Sequence, residues 1–358
     1  MYQRILIAGT AALLSTQVHA QSSVTIYGVA DVSIRYLTHA DRATGRSKLS
    51  MENGAVSNSR WGFRGVEDLG NGLSALFNLE GGMNLDDGTQ STAGKIFNRQ
   101  SFMGLSSRTA GTLTVGLQNN PLFDFMVGPY DPMTLGNYSQ NSWMGTVFSV
   151  AGRRGKDNSI KYTNTFGDFR VAAFYGMGEQ PDNHRKNEAW SGTVSYTKGP
   201  FSTGGGFVLT HDALGNKQTV YNLNLRYKLG PATLFLGHFN SKDHTGFVDA
   251  FLNGGATPSA TAPRRDNAWF TGLTYDVMPS LKLTSAFYYD RSKNVRAVQG
   301  DAGEGTRYAL VLLADYYLSR RTTLYATVDY NKVKDAARVD IPGGNSQTGV
   351  AIGLRHRF

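Results

Sequence analysis

The sequence predicts an all-β chain, a transmembrane antiparallel up-and-down β-barrel of about sixteen strands, from two observations. Apolar and polar residues alternate with period two along most of the chain, which is the spacing that puts strand side chains on opposite faces. Short turns and long polar connections also alternate from one end to the other. That second pattern is typical of outer-membrane barrels, which have short periplasmic turns and long extracellular loops.

The first twenty residues predict a cleaved signal peptide, 1–20. Arg4 gives a charged start, the run from Ile5 to Leu14 is apolar, and Val18 to Ala20 has small or modest residues where cleavage would occur. A membrane anchor is the alternative, but an apolar run of about ten residues is half of the roughly twenty that span a bilayer core. We therefore expect the mature chain to be 21–358.

Three segments illustrate the alternation, and none of them has the 3.6-residue period of a helix. In 24–37, 218–229 and 323–333, the apolar residues occupy every second position and the polar residues the positions between. In the first segment the apolar face holds Val24, Ile26, Val32, Ile34 and Tyr36, and the other face holds Asp31, Ser33 and Arg35. Each segment therefore predicts a strand with one wall in lipid and the other in water.

The connections give the number of strands. Short turns rich in Gly, Pro, Asn and Asp are predicted near 68–72, 108–111, 167–168, 198–200, 230–231, 278–280 and 319–322. Long loops are predicted near 38–56, 85–98, 119–157, 179–189, 211–217, 242–266, 291–306 and 334–346. Fifteen connections join sixteen strands, and the even number of strands places both chain termini on the short-turn side. A secreted soluble sandwich is the alternative, but it would not give an unbroken series of hairpins in which short and long connections alternate.

The final strand ends on an aromatic residue. Val350, Ile352 and Leu354 share one face with Phe358, while Arg355 and Arg357 lie on the other. Aromatic rings at that position sit at the lipid headgroup level in membrane barrels. We therefore predict that Phe358 is an assembly signal for insertion into the membrane.

Composition limits the remaining classes of protein. No later segment reaches eighteen uninterrupted apolar residues, so no membrane helix is expected. The formal net charge is +9, but Lys and Arg are spread singly, which argues against a nucleic-acid partner. The chain has no Cys, no His-Glu-x-x-His pair and no Gly-x-Ser-x-Gly elbow. We expect neither an enzyme nor a cofactor or metal site. A sixteen-stranded barrel is too wide for side chains to fill, so an aqueous channel is expected.

Several stretches resemble the general-diffusion porins of Gram-negative bacteria, in particular the neisserial and betaproteobacterial branch. They are 23–28 (SVTIYG), 59–65 (SRWGFRG), 67–72 (EDLGNG), 98–105 (NRQSFMGL) and 354–358 (LRHRF), and the resemblance covers the whole mature chain. It implies a trimer of sixteen-stranded barrels in the outer membrane, each with its third extracellular loop folded into the lumen as a constriction. The partners implied are a homotrimer, outer-membrane lipid and lipopolysaccharide, the barrel-assembly machinery, and small hydrophilic solutes and anions.

The third loop, 119–157, is the longest, and its apolar residues could dock on the inner wall. An extracellular flap without effect on the pore is the alternative. Asp124 and Asp131 are predicted to form the acidic side of the constriction. The basic side is predicted from alternation for Arg60 and Arg64, since Trp61 and Phe63 belong toward lipid, and by the resemblance for Arg60, Arg99 and Arg153 or Arg154. Arg35 also faces the lumen by alternation, although any of these arginines could be an ordinary solvated wall residue.

More arginines than aspartates at the constriction predict a mild anion preference, because rings of Arg and Lys suit anion pores. Gly116-Leu117-Gln118 stands where related chains usually have Gly-Arg-Gln, and that difference weakens the prediction. A solute-specific channel, or an adhesin or other binding barrel, remains the alternative function.

Overall fold

The structure is a computed structural model that describes residues 23–41, 43–133, 155–181, 183–254, 262–296, 303–341 and 343–358. The predicted signal peptide 1–20 and the predicted constriction residues Arg153 and Arg154 lie outside these ranges. So does the larger part of the third loop, between Met133 and Gly155.

Within the described residues, seventeen strand segments form one closed antiparallel sheet. The first segment pairs with both its successors and with the last one, which closes the ring. The second and third segments pair with successive halves of the first, so they are two parts of one barrel strand, and the barrel has sixteen strands as predicted. The segments are β1 (Ser23–Leu37), β2 (Lys48–Asn53), β3 (Arg60–Gly70), β4 (Leu73–Gly82), β5 (Gln100–Ser107), β6 (Gly111–Asn119), β7 (Gly155–Phe166), β8 (Phe169–Gly176), β9 (Ala189–Lys198), β10 (Phe201–His211), β11 (Lys217–Leu229), β12 (Ala232–Asp243), β13 (Arg264–Met278), β14 (Leu281–Val295), β15 (Gly303–Tyr317), β16 (Thr322–Asp335) and β17 (Ser346–Arg357).

The break between β2 and β3 corrects one prediction, because β2 lies inside the stretch 38–56 that was expected to be a loop. Asp31 of β1 holds the break in place. Its carboxylate accepts hydrogen bonds from the backbone of Ser57 at 2.7 Å and Val56 at 3.2 Å, and its carbonyl accepts one from Gly54. Gly54 has a φ of 68°, a left-handed conformation that suits glycine. A strand of six residues next to such a turn shows too few alternations to be recognised.

The two faces of β1 agree with the predicted alternation. Ile26 and Ile34 are 63% and 58% exposed on the outer face, whereas Asp31 and Ser33 are buried on the inner face. The chain end completes the wall, since the backbones of Gly28 and Phe358 exchange two hydrogen bonds. The ring of Phe358 covers Gly28 so closely that a side chain at position 28 would overlap it.

Helical segments occur only in loops within the described residues, and none is long and apolar enough to cross a membrane. The third loop begins with α1 (Pro121–Phe125) and a π-helical turn, Met126–Tyr130. At the extracellular end lie α2 (Phe247–Asn253) and a 3₁₀ turn, Ala336–Asp340. Arg264 joins these two, with Asp249 at 2.7 Å and Asp340 at 3.3 Å. Burial raises the pKa of Asp249 to about 6 although Arg264 opposes the shift.

Candidate functional site: the wall of the lumen

The start of the third loop packs against the inner wall. The Asn120 side chain caps α1 by accepting a hydrogen bond from the Phe123 backbone at 3.0 Å, and Pro121 occupies the first turn, where its missing N–H costs nothing. Leu122 and Met126 are buried among apolar inward-facing residues of β10 to β14. The apolar residues of this segment therefore dock the start of the loop on the inner wall, which is the direction predicted for an infolded loop.

Two hydrogen bonds and one packing contact fix the next turn of the loop to successive strands. The hydroxyls of Tyr130 and Ser202 in β10 lie 2.7 Å apart, and burial raises the pKa of Tyr130. Arg226 of β11 donates to the carbonyl of Pro129 at 3.3 Å. Pro132 then packs on Gly272 of β13, where any side chain would overlap the proline ring. This turn of the loop thus runs across the inner wall from β10 to β13.

Asp131 continues this docking and corrects a prediction. The carboxylate accepts a hydrogen bond from the hydroxyl of Tyr288 in β14 at 2.7 Å, and another from the backbone of Met133 at 3.0 Å. Only 5% of Asp131 is exposed. Asp131 therefore attaches the loop to the wall. The sequence predicts an open acidic group in the lumen at this position, and the structure does not show one.

Asp124 lies in the lumen but is partly neutralised. It is 46% exposed and pairs with Lys161 of β7 at 3.0 Å, and it also accepts a hydrogen bond from Asn119 at 2.9 Å. Lys161 is held in turn by the carbonyl of Asn119 at 3.1 Å. The acidic group of the loop thus has its own basic partner on the adjacent wall.

Two of the predicted arginines come together near β3 to β5. These strands are far in strand order from β10 to β14, where the third loop docks. Glu80 of β4 lies between them, 3.4 Å from Nε of Arg60 and 2.6 Å from Nε of Arg99. The two arginine side chains are 28% and 20% exposed, while Glu80 is only 6% exposed. Two guanidinium groups therefore share one carboxylate, and the excess positive charge reaches the lumen.

We call Arg60, Glu80 and Arg99 the Arg60–Arg99 cluster. Tyr27 of β1 supports this cluster from outside it. Its hydroxyl lies 2.9 Å from a Glu80 oxygen and 2.8 Å from the side-chain oxygen of Asn78. Gly62 leaves space for the ring, because a side chain there would meet it. Arg64 stacks over the same ring with its guanidinium carbon 5.2 Å from the centroid, and it has no carboxylate partner among the described residues. The inward direction predicted for Arg60 and Arg64 agrees with their register opposite Val29 and Thr25.

Arg35 differs from the cluster and corrects a second prediction. It is fully buried, and one of its nitrogens contacts both oxygens of Asp329 in β16, at 2.7 and 2.8 Å. Arg35 does face inward, but its charge is compensated and covered. It therefore does not belong to the open basic side of the constriction. Arg355 is similar, 3.0 Å from Asp315 and nearly buried.

Alternation counted from Arg99, three positions earlier, would place Phe102 on the lipid face. The structure places Phe102 in the lumen instead, because Arg99 precedes the first residue of β5 and Phe102 lies opposite Asn78, which faces the lumen. Gln118, in the sequence Gly116-Leu117-Gln118, is buried and bonds to Thr114 at 2.5 Å.

Sequence reasoning missed Glu80, Tyr27, Lys161 and Tyr288. Lys161 stands between Ile160 and Tyr162, so the alternation rule could have placed it in the lumen. Glu80 and Tyr288 carry no such signal, because their importance depends on contacts with residues far along the chain. Among the described residues, no group of three or more His, Asp or Glu side chains could hold a metal ion.

Comparison with known proteins agrees with this architecture. Residues 8–336 match the model of a family described as Gram-negative porin. The chain is 28% identical to an outer membrane porin protein of Bordetella pertussis over 100% of both chains, and 29% identical to outer membrane porin protein 32 of Delftia acidovorans over 95% of both. Among solved structures, an anion-selective porin from Comamonas acidovorans superposes with a TM-score of 0.77 at 26% identity, covering 94% of this chain and 100% of the other. These relatives are porins and not enzymes. The chain belongs to the Gram-negative porin family, and its location is the outer membrane.

Proposed function

We propose that the protein forms a water-filled channel through which ions and small hydrophilic solutes diffuse passively, with a mild preference for anions. The observation that carries the ion preference is the Arg60–Arg99 cluster, in which two arginines share the single carboxylate of Glu80. Arg64 adds a further positive charge on the same wall.

The acidic groups of the loop contact other strands of the wall than this cluster does. Asp124 is paired with Lys161, and Asp131 is buried against Tyr288. A fixed positive charge beside a narrow aqueous passage raises the local concentration of anions, because the low-dielectric wall focuses its field. Arginine keeps its charge at any working pH, and partial exposure lets an anion approach and leave. The anion selectivity stated for the Comamonas acidovorans porin supports the same sign here.

The proposed constriction consists of the third loop, 119–157, and the wall carrying Arg60, Arg64 and Arg99. Arg153 and Arg154 extend the basic side in this proposal. A solute-specific channel is the alternative, together with an adhesin or binding barrel. Conduction of simple salt would separate a channel from a binding barrel, and saturation of solute flux with concentration would separate a specific channel from a general one.

The test is single-channel recording of the purified protein in a planar bilayer with a KCl gradient. We expect a steady ohmic conductance and a reversal potential whose sign indicates that chloride is more permeant than potassium. Absence of conductance would refute the channel. A reversal potential favouring potassium would refute the ion preference while leaving the channel intact.

Assembly follows from the family resemblance. We propose a homotrimer that contacts outer-membrane lipid and lipopolysaccharide and is inserted by the barrel-assembly machinery, with Phe358 as its recognition signal. The exchange of backbone hydrogen bonds between Phe358 and Gly28 at the barrel seam supports a role in closure. Deleting Phe358 should reduce the folded fraction in membranes far more than deleting one exposed residue of the 336–345 loop. Equal effects, or a monomeric mass in mild detergent, would contradict these assignments.

A further inference from the structure

A cavity of about 370 Å³ lies on the inner side of the wall, between the start of the third loop and the helix α2. Residues of β7 to β10 line it, together with Asn120 before α1 and with Phe247 and Ala250 of α2. Its volume falls at the lower end of the roughly 300–1,000 Å³ that is typical of small-molecule sites. The Arg60–Arg99 cluster lies elsewhere on the wall, at β3 to β5, so this cavity is a separate feature of the lumen.

Much of the cavity lining is apolar. Phe174 of β8 and Val208 of β10 are 4% and 1% exposed. Phe207, the neighbour of Val208 in the chain, is 41% exposed on the outer face, so Val208 points inward. Phe247 adds the aromatic surface of α2. These walls favour an aliphatic or aromatic group of a solute, because such a group leaves water when it enters.

Two buried polar atoms at the end of β10 lack the hydrogen bonds that buried polar groups normally make. Thr210 lines the cavity and is 7% exposed, and its hydroxyl has no hydrogen-bond partner among the residues that the structure describes. Nδ1 of His211 is also buried and lies 3.3 Å from an oxygen of Glu188, outside hydrogen-bond geometry. Because most buried polar side-chain atoms are hydrogen-bonded, these atoms indicate a place for a polar group of a solute.

Lys156 of β7 supplies the positive charge of the cavity. Gly176 of β8 leaves room for its stem, since any side chain there would overlap it. The Lys156 side chain is 8% exposed, and its ammonium group uses one of its three N–H donors on Asp157, at 3.0 Å. Asp157 is 59% exposed, so water screens this ion pair. Lys156 therefore keeps donors for an anionic group.

Glu188 supplies a negative charge to the same cavity. Its side chain is 12% exposed, and its ion-pair partner within the described ranges is His211, which is charged only when protonated. Asp212 also lines the cavity, but its carboxylate accepts hydrogen bonds from the backbones of Leu214 and Asn216 within its own turn. Glu188 is therefore the carboxylate that a cationic group of a solute would meet.

We propose that this cavity binds a zwitterionic α-amino acid with an apolar side chain. The α-carboxylate accepts hydrogen bonds from Lys156 and Thr210, the α-ammonium donates to Glu188, and the apolar side chain lies against Phe174 and Val208. A simple carboxylic acid would leave Glu188 without a partner, and a simple amine would leave Lys156 without one, so each should bind less tightly. The inference rests on the proposed channel, through which the solute reaches the cavity, but not on the anion preference.

The test measures the binding of L-phenylalanine to the detergent-solubilised protein by isothermal titration calorimetry. Two analogues each lack one charge: 3-phenylpropionate has no ammonium group, and 2-phenylethylamine has no carboxylate. We expect L-phenylalanine to bind about tenfold more tightly than either analogue, because each analogue loses a charge-assisted hydrogen bond. Equal binding of all three compounds would mean that the ring alone is adsorbed, which would overturn the proposal.

Three variants assign the polar groups. Thr210→Val keeps the shape and should weaken L-phenylalanine binding about fivefold, as expected for the loss of one hydrogen bond. Lys156→Met should weaken binding of L-phenylalanine and 3-phenylpropionate but not of 2-phenylethylamine. Glu188→Gln should weaken binding of L-phenylalanine and 2-phenylethylamine but not of 3-phenylpropionate.

The matched control is Thr284→Val, which removes the hydroxyl of a threonine of β14 that is buried to the same extent and does not line the cavity. It should bind L-phenylalanine as the wild type does. Wild-type binding by Thr210→Val, or equal losses in the two threonine variants, would overturn the proposal.

Conductance in KCl separates a failure of this site from a failure of the channel. A wild-type protein that conducts KCl and shows no saturable binding of L-phenylalanine would overturn the site and leave the channel intact. Selective binding by a protein that does not conduct would support the site and refute the channel.

Discussion

Two inward-facing arginine sites of this barrel have the same residue type and opposite properties. At the first, Arg35 has its own carboxylate, Asp329, and both side chains are fully buried. At the second, Arg60 and Arg99 share Glu80 and remain 28% and 20% exposed. The first site is electrically balanced and joins β1 to β16 across β17. The second leaves a positive charge in contact with the lumen.

This difference shows that an arginine can face the lumen without its charge affecting the ions that pass. Alternation decides only the direction of a side chain, since it follows from strand geometry. The number of carboxylates within reach and the extent of cover decide whether its charge is felt by a passing ion. We therefore assign selectivity to the Arg60–Arg99 cluster and stability to the Arg35–Asp329 pair.

The largest effect on stability is expected from Arg35→Met. Removing one partner of a buried ion pair leaves the other charge uncompensated, which typically costs about 3–5 kcal/mol. The variant should lose its folded, heat-modifiable form at a clearly lower temperature, while any channels that form keep the wild-type reversal potential.

Arg60→Met is the matched control, since it removes a partly exposed arginine from the same inner wall. It should change thermal stability little and reversal potential measurably. If Arg35→Met shifted the reversal potential as much as Arg60→Met does, the distinction between the two sites would be lost.

An intermediate effect is expected from Tyr288→Phe, which removes the hydroxyl that donates to Asp131. A hydrogen bond to a charged group contributes about 1.5–3 kcal/mol, so the third loop should leave the wall more often. Single-channel records should then show frequent changes of conductance that are rare in the wild type.

Tyr289→Phe tests whether this effect belongs to the loop. Tyr289 is the next residue along β14, and its register with Trp269 places it on the lipid face. It should leave the current as steady as in the wild type. Equally frequent conductance changes in both variants would argue against docking of the loop through Asp131.

The smallest effect is expected from Glu80→Gln, which removes the shared negative charge and keeps the size of the side chain. The reversal potential should move further toward anion preference, because Arg60 and Arg99 would both be uncompensated. Glu304→Gln, on the outer face, should leave it unchanged. A shift of the Glu80→Gln variant toward cation preference would contradict the role given to the cluster.

Much of the barrel could be predicted from the sequence because its rules are local. Period-two alternation and turn composition act over a few residues, so the sixteen strands, the short turns and the inward direction of Arg60 and Arg64 follow from the chain itself. The strand β2 was missed because six residues beside Gly54 carry little periodic signal.

The properties of the site residues were less predictable because they depend on distant parts of the chain. Asp131 is separated from Tyr288 by 157 residues, and Arg35 from Asp329 by 294. No local pattern shows that the first pair docks a loop or that the second compensates a charge. The same limit explains why Glu80 was missed although it organises two predicted arginines.

The most direct test of the account is the reversal potential of the double variant Arg60→Glu and Arg99→Glu in a salt gradient. At low ionic strength we expect a shift from anion toward cation preference, because the fixed charge beside the passage changes sign. The shift should shrink with added salt, as the Debye length falls from about 10 Å at 0.1 M to about 3 Å at 1 M. Arg338→Glu, in the exposed turn of the last loop, should have little effect. An unchanged reversal potential in the folded double variant at low salt would contradict the assignment of selectivity to this cluster.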